Sequence, residues 1–335
     1  MPRSSATAPP VGALLSRYED PGEPLSCEPV TLGLLNRGYR LATTRGAYFL
    51  KHHLDGDHEA IARQHRATQR LQALGVPVAP PVEDAQGHTV AVIGGRCYAL
   101  HPWVDGRHRD GAHLTTVQCR RLGSLLGLVH TCLEQVMEVD ATERREYESA
   151  DPDETFAVID ELLALARAAR PRDSFDNLAE HRLLERRALL ERHAHRRPPP
   201  ACAGGWVHGD FHPLNLLYRG AEPAAIVDWD RLGVQPRAEE AVRAAAIFFV
   251  QPAGELDLAK VRAYAQAYRR AAGADAAELA AAVHRVWWER LNDFWILRWR
   301  YLLHDRRADP QFAAVSALAV WWTREYDAVR EAFAA

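Results

Sequence analysis

The sequence predicts an α+β chain in two lobes: a small antiparallel sheet carrying one helix, then a larger, mainly helical part. Three observations predict it. Between Glu28 and His101, short apolar and β-branched runs alternate with glycine-centred breaks, the pattern of a strand meander. Beyond residue 115, apolar residues recur at helical spacing over long stretches. The chain's 335 residues are also more than one hydrophobic core comfortably serves.

The elements follow in order. Residues 1–20 are rich in Pro, Ser and Ala and lack the continuous apolar run of a signal peptide, so residues 1–24 are expected to be a flexible tail. Strand runs at 28–35, 38–44 and 47–51 are punctuated by Arg37-Gly38 and Arg45-Gly46. A helix is expected over 57–74, stopped by Gly75 with Pro77 beyond it. Runs at 88–93 and 96–101 flank Gly94-Gly95, a two-residue hairpin signal. These fill a small lobe, residues 25–101. His101-Pro-Trp-Val-Asp-Gly106 reads as a connector into a large lobe, residues 102–335. There a helix over 115–135 carries Leu122, Leu125, Leu126 and Val129 on one face. Asp151-Pro152 opens another, with Asp as cap and Pro at the first helical position. An Arg-rich helix at 176–194 runs into Arg196-Arg-Pro-Pro-Pro200, a solvated helix end before a stiff linker. Short strands return around Trp206-Val207, Leu216-Leu217 and Ala225-Ile-Val227, and from 237 on the chain is helical, with starts at Asp275 and Asp309-Pro310.

Composition excludes several function classes. With 44 acidic and 41 basic residues the net charge is −3, without the basic excess of a nucleic-acid binder. No apolar run approaches the roughly 18 residues a membrane helix needs. Neither nucleic acid nor membrane is therefore expected as a partner. Cys27, Cys97, Cys119, Cys132 and Cys202 are odd in number and form no CxxC pair, which fits a reducing cytoplasm rather than a disulfide framework or zinc site. Only Lys51 and Lys260 among the 41 basic residues are lysines. Where arginine is the default cation, a retained lysine marks a place that needs a compact ammonium.

Between Val207 and Asp230, polar residues interrupt apolar strand runs at fixed places: Asp210, Asn215 and Asp228. Phosphoryl transfer needs few protein groups, namely a base or positioner for the attacking hydroxyl, oxygen ligands for Mg²⁺ and a cation on the phosphates. Asp210 and Asn215 on one tight loop can face one site, and Asp228 at the end of a strand pair can close it. His208-Gly-Asp-Phe-His-Pro-Leu-Asn215 followed by Ile226-Val-Asp-Trp229 resembles the catalytic and metal-binding segments of the aminoglycoside phosphotransferase and choline kinase superfamily. These proteins are small-molecule relatives of the protein kinases, and the resemblance in layout runs from about residue 28 to 330.

The resemblance implies a two-lobed protein-kinase-like fold and an ATP- and Mg²⁺-dependent transfer to a small-molecule hydroxyl acceptor, by a monomer or homodimer. Asp210 would accept or orient the hydroxyl proton, and Asn215 and Asp228 would hold Mg²⁺. His208 would be structural; His212 also reads as structural, and Asp230 as a cap on the next segment or an aid to the metal. Lys51 would contact the α- and β-phosphates. Leu35-Asn-Arg-Gly-Tyr39, with Asn36 and Gly38, would be a lean phosphate-covering loop. Tyr98, His101 and Trp103 would lie along the adenine-facing hinge. The pattern departs from the family at the Glu that normally pairs with the lysine. Gln64 or His65 stands at that register, with Glu59 one turn earlier, so either Glu59 or another group must hold Lys51.

The acceptor is the less legible half. Glu289, Asp293 and Asp305 are interleaved with Arg285, Arg290, Arg298, Arg300, Arg306 and Arg307, so no acidic wall for a polycation is evident. Trp288, Trp295 and Trp299, spaced for one helix face, with Trp287, Trp321 and Trp322 near by, read as helix–helix core, the alternative being an aromatic wall for a ring-bearing acceptor. An antibiotic is the leading acceptor expectation. A primary metabolite such as homoserine, choline or a sugar is the alternative, with a protein substrate third.

Overall fold

The computed structural model describes residues 8–30, 36–54, 56–140, 146–202 and 204–335. The far end of the expected 28–35 strand, Leu35 and the start of the expected tail lie outside them. The chain forms two compact units, residues 1–109 with 214–232 and residues 110–213 with 233–335. The expected boundary at 101–102 thus falls inside the first unit, which also takes back a segment expected in the large lobe. Backbone pairing explains the return: Ile226 N–H donates to Pro77 C=O at 2.8 Å, and Arg107 and Tyr218 exchange N–H···O bonds of 2.9 Å.

In the first unit, α1 (Val11–Leu15) precedes β1 (Pro24–Val30), β2 (Arg37–Thr43), β3 (Gly46–His53), α2 (His58–Ala73), β4 (Ala91–Ile93) and β5 (Arg96–Pro102). The five strands form one antiparallel sheet in the order β1-β2-β3-β5-β4. The flexible-tail expectation is corrected from α1 onward. Leu14, Leu15 and Tyr18 are buried in one cluster with Leu41, Leu50, Tyr98 and Leu100, and Arg17 pairs with the buried Asp84 carboxylate at 2.9 Å. Burying three apolar side chains outweighs a locally disordered composition.

The α2 boundaries follow the sequence signals. The Asp57 side chain accepts from Ala60 N–H at 3.0 Å, and Gly75 takes a left-handed φ of +81°. Gly94 and Gly95 both have positive φ, as a primed hairpin turn requires. Gly38 does not punctuate strands as expected. It lies inside β2 opposite Lys51, and a Cβ there would come within 2.7 Å of the Phe49 ring.

Three imidazoles gather beside this sheet. The His65 ring lies 6.1 Å from His53 and 5.6 Å from His101. Nε2 of His53 and of His101 is buried with no hydrogen-bond partner. Burial pushes their pKa values from 6.5 down to about 3 for His53, about 2 for His65 and about 4 for His101. Below pH 6.5 the unfolded chain takes up protons that the folded chain refuses. Stability fully present above that pH is therefore lost as pH falls, by up to about 1.4 kcal/mol per pH unit for each ring. Melting temperatures from about pH 8 to about pH 5 should fall steeply in this window, and His65→Phe should flatten the slope by about a third. A flat profile would overturn the assignment.

The second unit is built of α3 (Thr116–Val136), α4 (Pro152–Ala168), α5 (Ser174–His193), α6 (Arg237–Phe249), α7 (Leu258–Ala272), α8 (Ala276–Asn292), α9 (Trp295–Leu302), α10 (Asp309–Arg324) and α11 (Tyr326–Ala334). α3 packs tightly along α7: a Cβ on Gly123 would sit 2.1 Å from the Tyr264 carbonyl oxygen. Trp287, Trp288 and Trp322 are buried core residues, as expected, whereas Trp295, Trp299 and Trp321 are only half-buried. Trp288, Trp295 and Trp299 do not share one helix face, because the chain breaks between α8 and α9. Asp293 has extended backbone there, and its carboxylate accepts from Trp295 N–H at 3.1 Å. No described helix is long and apolar enough to cross a membrane.

Candidate active site

In the first unit the hairpin of strands Leu216–Arg219 and Glu222–Ile226 builds one set of candidate groups. Leu216 faces Ile226 in the ladder, and Val227 N–H donates to Asn215 C=O at 2.9 Å. This register brings Asn215 beside Asp228, although they are thirteen residues apart in sequence. Asn215 is buried. Asp228 follows the last paired residue with a φ of +60°, a left-handed conformation costly for a side-chain-bearing residue, which turns the chain out of the strand.

β3 delivers Lys51 to the same place. Its Nζ donates to Asp228 Oδ1 at 2.8 Å and to Asp230 Oδ1 at 2.5 Å. Burial pushes the ammonium's pKa down, but the two carboxylates outweigh burial and hold it above its ordinary value. Burial raises the Asp230 pKa, opposed by Lys51 and reinforced by the Asp228 charge. Asp230 therefore does not cap the next segment, as expected from sequence, but serves as a second carboxylate for the lysine. Asn36 ties this cluster to the sheet: its Nδ2 donates to Asp230 Oδ2, and its Oδ1 accepts from Leu54 N–H at 2.9 Å.

The open question of Lys51's partner is resolved by these contacts. Glu59 is exposed in the first turn of α2. Gln64 anchors α2 instead, its Nε2 donating to Asp230 C=O at 3.0 Å, while His65 turns toward Thr89 at 2.9 Å. The lysine is thus oriented from the Asp228–Asp230 turn rather than from the helix.

The hinge residues fare differently. Tyr98 is 1% exposed in the sheet core and stacks on His52 at 4.6 Å between centroids. The Trp103 N–H is spent on Ala47 C=O at 3.1 Å, and Arg40 lies 5.1 Å from its ring centre. The His101 Nδ1 meets Ala79 C=O at 2.9 Å.

The second unit carries the loop His208–Pro213. His208 is fully buried, and its Nδ1 accepts from Asp210 N–H at 3.2 Å, closing the turn locally. Asp210 keeps a side chain 34% exposed, with His212 Nε2 3.6 Å from its Oδ2. Glu240, on α6, is the group that sequence reasoning missed. Its buried carboxylate accepts from His208 N–H at 3.1 Å and from Gly209 N–H. His130 Nε2 meets the same carboxylate at 2.7 Å, and His130 Nδ1 meets the Tyr268 hydroxyl at 3.0 Å. Burial alone would raise the Glu240 pKa, but His130 and the Gly209 N–H more than compensate and keep it below the ordinary carboxylate value. A buried charge satisfied this fully fixes the backbone that presents Asp210.

Comparison with known families places this arrangement. A family model described as the phosphotransferase enzyme family matches residues 26–274. The chain belongs to that family. It is a small-molecule phosphotransferase acting on a hydroxyl. Among curated proteins it is similar to the homoserine kinase of Methylobacillus flagellatus, 24% identical over 319 residues that cover 90% of this chain and 93% of the relative. Among solved structures it is similar to an amicoumacin kinase, with a TM-score of 0.62 and 19% identity over 96% of this chain and 92% of that one. A spectinomycin phosphotransferase gives a TM-score of 0.62 and 14% identity over 97% and 96%. At these identities the structural likeness speaks for the α+β, two-lobed, kinase-like fold.

The oxygen donors near Lys51 fit a phosphate-bound Mg²⁺. The ion takes hard oxygen ligands and needs only one or two carboxylates when phosphates complete its shell. Asn215 and Asp228, whose backbones the hairpin register brings near each other, would supply an amide oxygen and a carboxylate. Among the described residues no cluster of three or more His, Cys, Asp or Glu side chains forms an all-protein cage.

Proposed function

We propose that this phosphotransferase moves the γ-phosphoryl group of ATP to the hydroxyl of a small, amino-acid-like acceptor of the homoserine kind. Asp210 accepts or orients the hydroxyl proton. Asn215 and Asp228 hold Mg²⁺, which neutralises charge on the phosphates, and Lys51 contacts the α- and β-phosphates. Asn36 and Asp230 keep the lysine in place. The complexes of the amicoumacin kinase with AMP-PNP and Ca²⁺ and of the spectinomycin phosphotransferase with ADP support this nucleotide and divalent-metal reading.

The acceptor assignment is carried by the pairing of acidic side chains along the C-terminal part of the chain. Glu239 pairs with Arg285 at 2.5 Å. Glu289 pairs with Arg243 at 2.8 Å and Arg290 at 3.0 Å. Asp305 pairs with Arg307 at 2.7 Å. Carboxylates neutralised by arginine offer no wall for a polycationic antibiotic, and the homoserine kinase relative spans nearly the whole chain. The test is turnover by the purified protein with ATP and Mg²⁺ against L-homoserine, other amino alcohols, choline, sugars and aminoglycosides, followed by ADP release and phosphorus NMR of the product. L-Homoserine should be phosphorylated, and EDTA should stop the reaction. Turnover of aminoglycosides with none of amino acids would overturn the acceptor reading.

A further inference from the structure

A half-open cavity of about 30 Å³ lies in the second unit, lined by α5, the α8–α9 break and α10. That is room for one small polar or charged group. Leu183, Phe294, Phe312 and Val315 form apolar walls, Arg182 and Arg186 face it from α5, and Asp293 lines it from the α8–α9 break. Arg186 is 5% exposed, yet among the described residues no carboxylate lies within ion-pair distance of it. Its one hydrogen bond runs from Nη1 to Arg290 C=O, and its guanidinium carbon stands 5.3 Å from the Phe294 ring centre. Nε of Arg186, of Arg182 and of Arg290 is buried without a partner in each case.

The nearby acids do not balance these charges. Glu185 is taken by Arg182 at 2.6 Å, Glu289 is shared by Arg243 and Arg290, and Asp293 approaches Arg290 only to 3.9 Å. Burial pushes the Arg186 pKa from 12.5 down to about 10, so the group is still cationic at neutral pH. A buried cation with an unused donor in an apolar cavity is costly unless an anion completes it. Guanidinium groups suit carboxylates, which can accept two parallel N–H bonds.

We infer that this cavity is an anion site taking the carboxylate of a small, partly apolar ligand, with Arg186 as its principal donor. The inference stands on the cavity itself and goes beyond the proposed phosphotransfer, since binding is read without nucleotide. The carboxylate belongs either to the phosphoryl acceptor or to a separate small acid, and the two sources separate by experiment.

The probe is sodium propionate, with propionamide as its neutral counterpart, titrated into the full chain at constant ionic strength and followed by melting temperature and calorimetry. Propionate should raise the melting temperature saturably, by about 2–4 °C, while the amide should not. Arg186→Met should abolish the response, and Arg186→Lys should keep a weaker one. Should Arg186→Met fold poorly, Val315→Phe fills the cavity with the arginine in place and should abolish it too. If the acceptor supplies the carboxylate, propionate competes with it, and Arg186→Met raises the acceptor KM about 10- to 100-fold with kcat little changed. If a separate acid supplies it, propionate still binds at saturating acceptor. Equal response to acid and amide, or a propionate response that survives both Arg186→Met and Val315→Phe, would overturn the site.

Discussion

Replacing Asp210 by Ala should lower kcat about 10³-fold while leaving the KM for ATP within about twofold. The separation follows from where the groups sit. The cluster proposed to hold the nucleotide, Lys51 with Asn36, Asp228 and Asp230, is held together by bonds within the first unit. Asp210 belongs to a loop of the second unit whose backbone is fixed by His208 and Glu240. Removing its carboxylate leaves both scaffolds intact. Asp210→Asn separates two roles, because the amide still accepts a hydrogen bond but is a far weaker base. Loss equal to that of the Ala variant assigns proton acceptance, whereas partial recovery assigns orientation. Steady-state rates alongside melting curves decide the point. Turnover within about tenfold of the parent would show Asp210 to be an ordinary turn residue.

The four proposed site residues legible in sequence are those set by local spacing. Asp210 and Asn215 lie on one short segment, Asp228 ends the strand that pairs back on it, and Lys51 stood out against an arginine-rich background. What was not legible depends on contacts between distant positions. Lys51 meets Asp230 across 179 residues, a pairing no local pattern announces. Glu240 gave a misleading signal, since an acid in the first turn of a helix is usually a surface partner of the helix dipole. Its burial follows from the apolar residues flanking it on α6, Ala241, Val242, Ala244 and Ala245. That run could have marked Glu240 as an inward-facing acid in need of a partner.

The fold shows the same division. Caps, the Arg45-Gly46 break and the Gly94-Gly95 turn are written in a few adjacent residues, and the sheet formed accordingly except at Gly38, which lies inside β2. α1 was hidden because three anchoring side chains are few against a Pro- and Ala-rich background. The α8–α9 break was hidden for the opposite reason: helical periodicity continues through Asp293, and only the Asp293 cap on Trp295 N–H interrupts it. The return of residues 214–232 to the first unit was obscured by sequence continuity. Their hairpin is short, and its placement depends on backbone bonds to Pro77 and Arg107 rather than on its own side chains.

Glu240→Gln tests whether a charge remote from the reacting atoms sets the rate. In the parent, one carboxylate oxygen serves His208 N–H and His130, and the other serves Gly209 N–H. An amide of the same shape must aim its NH₂ at one of these donors, leaving at least one buried N–H unsatisfied at a cost of about 1–3 kcal/mol. For a unit of this size that lowers the melting temperature by about 3–10 °C. Because the affected N–H groups belong to the two residues immediately before Asp210, the loop should shift, and displacement of about 1 Å at a reacting group can cost 10²-fold in rate. We expect kcat to fall about 100-fold, with the KM for ATP little changed, since Glu240 has no part in the Lys51 cluster. Measuring kcat well below the melting transition separates the two effects. A lowered melting temperature with near-parent kcat would make Glu240 a core strut, whereas a matching loss in His130→Ala would place the whole His130–Glu240 pair behind the position of Asp210.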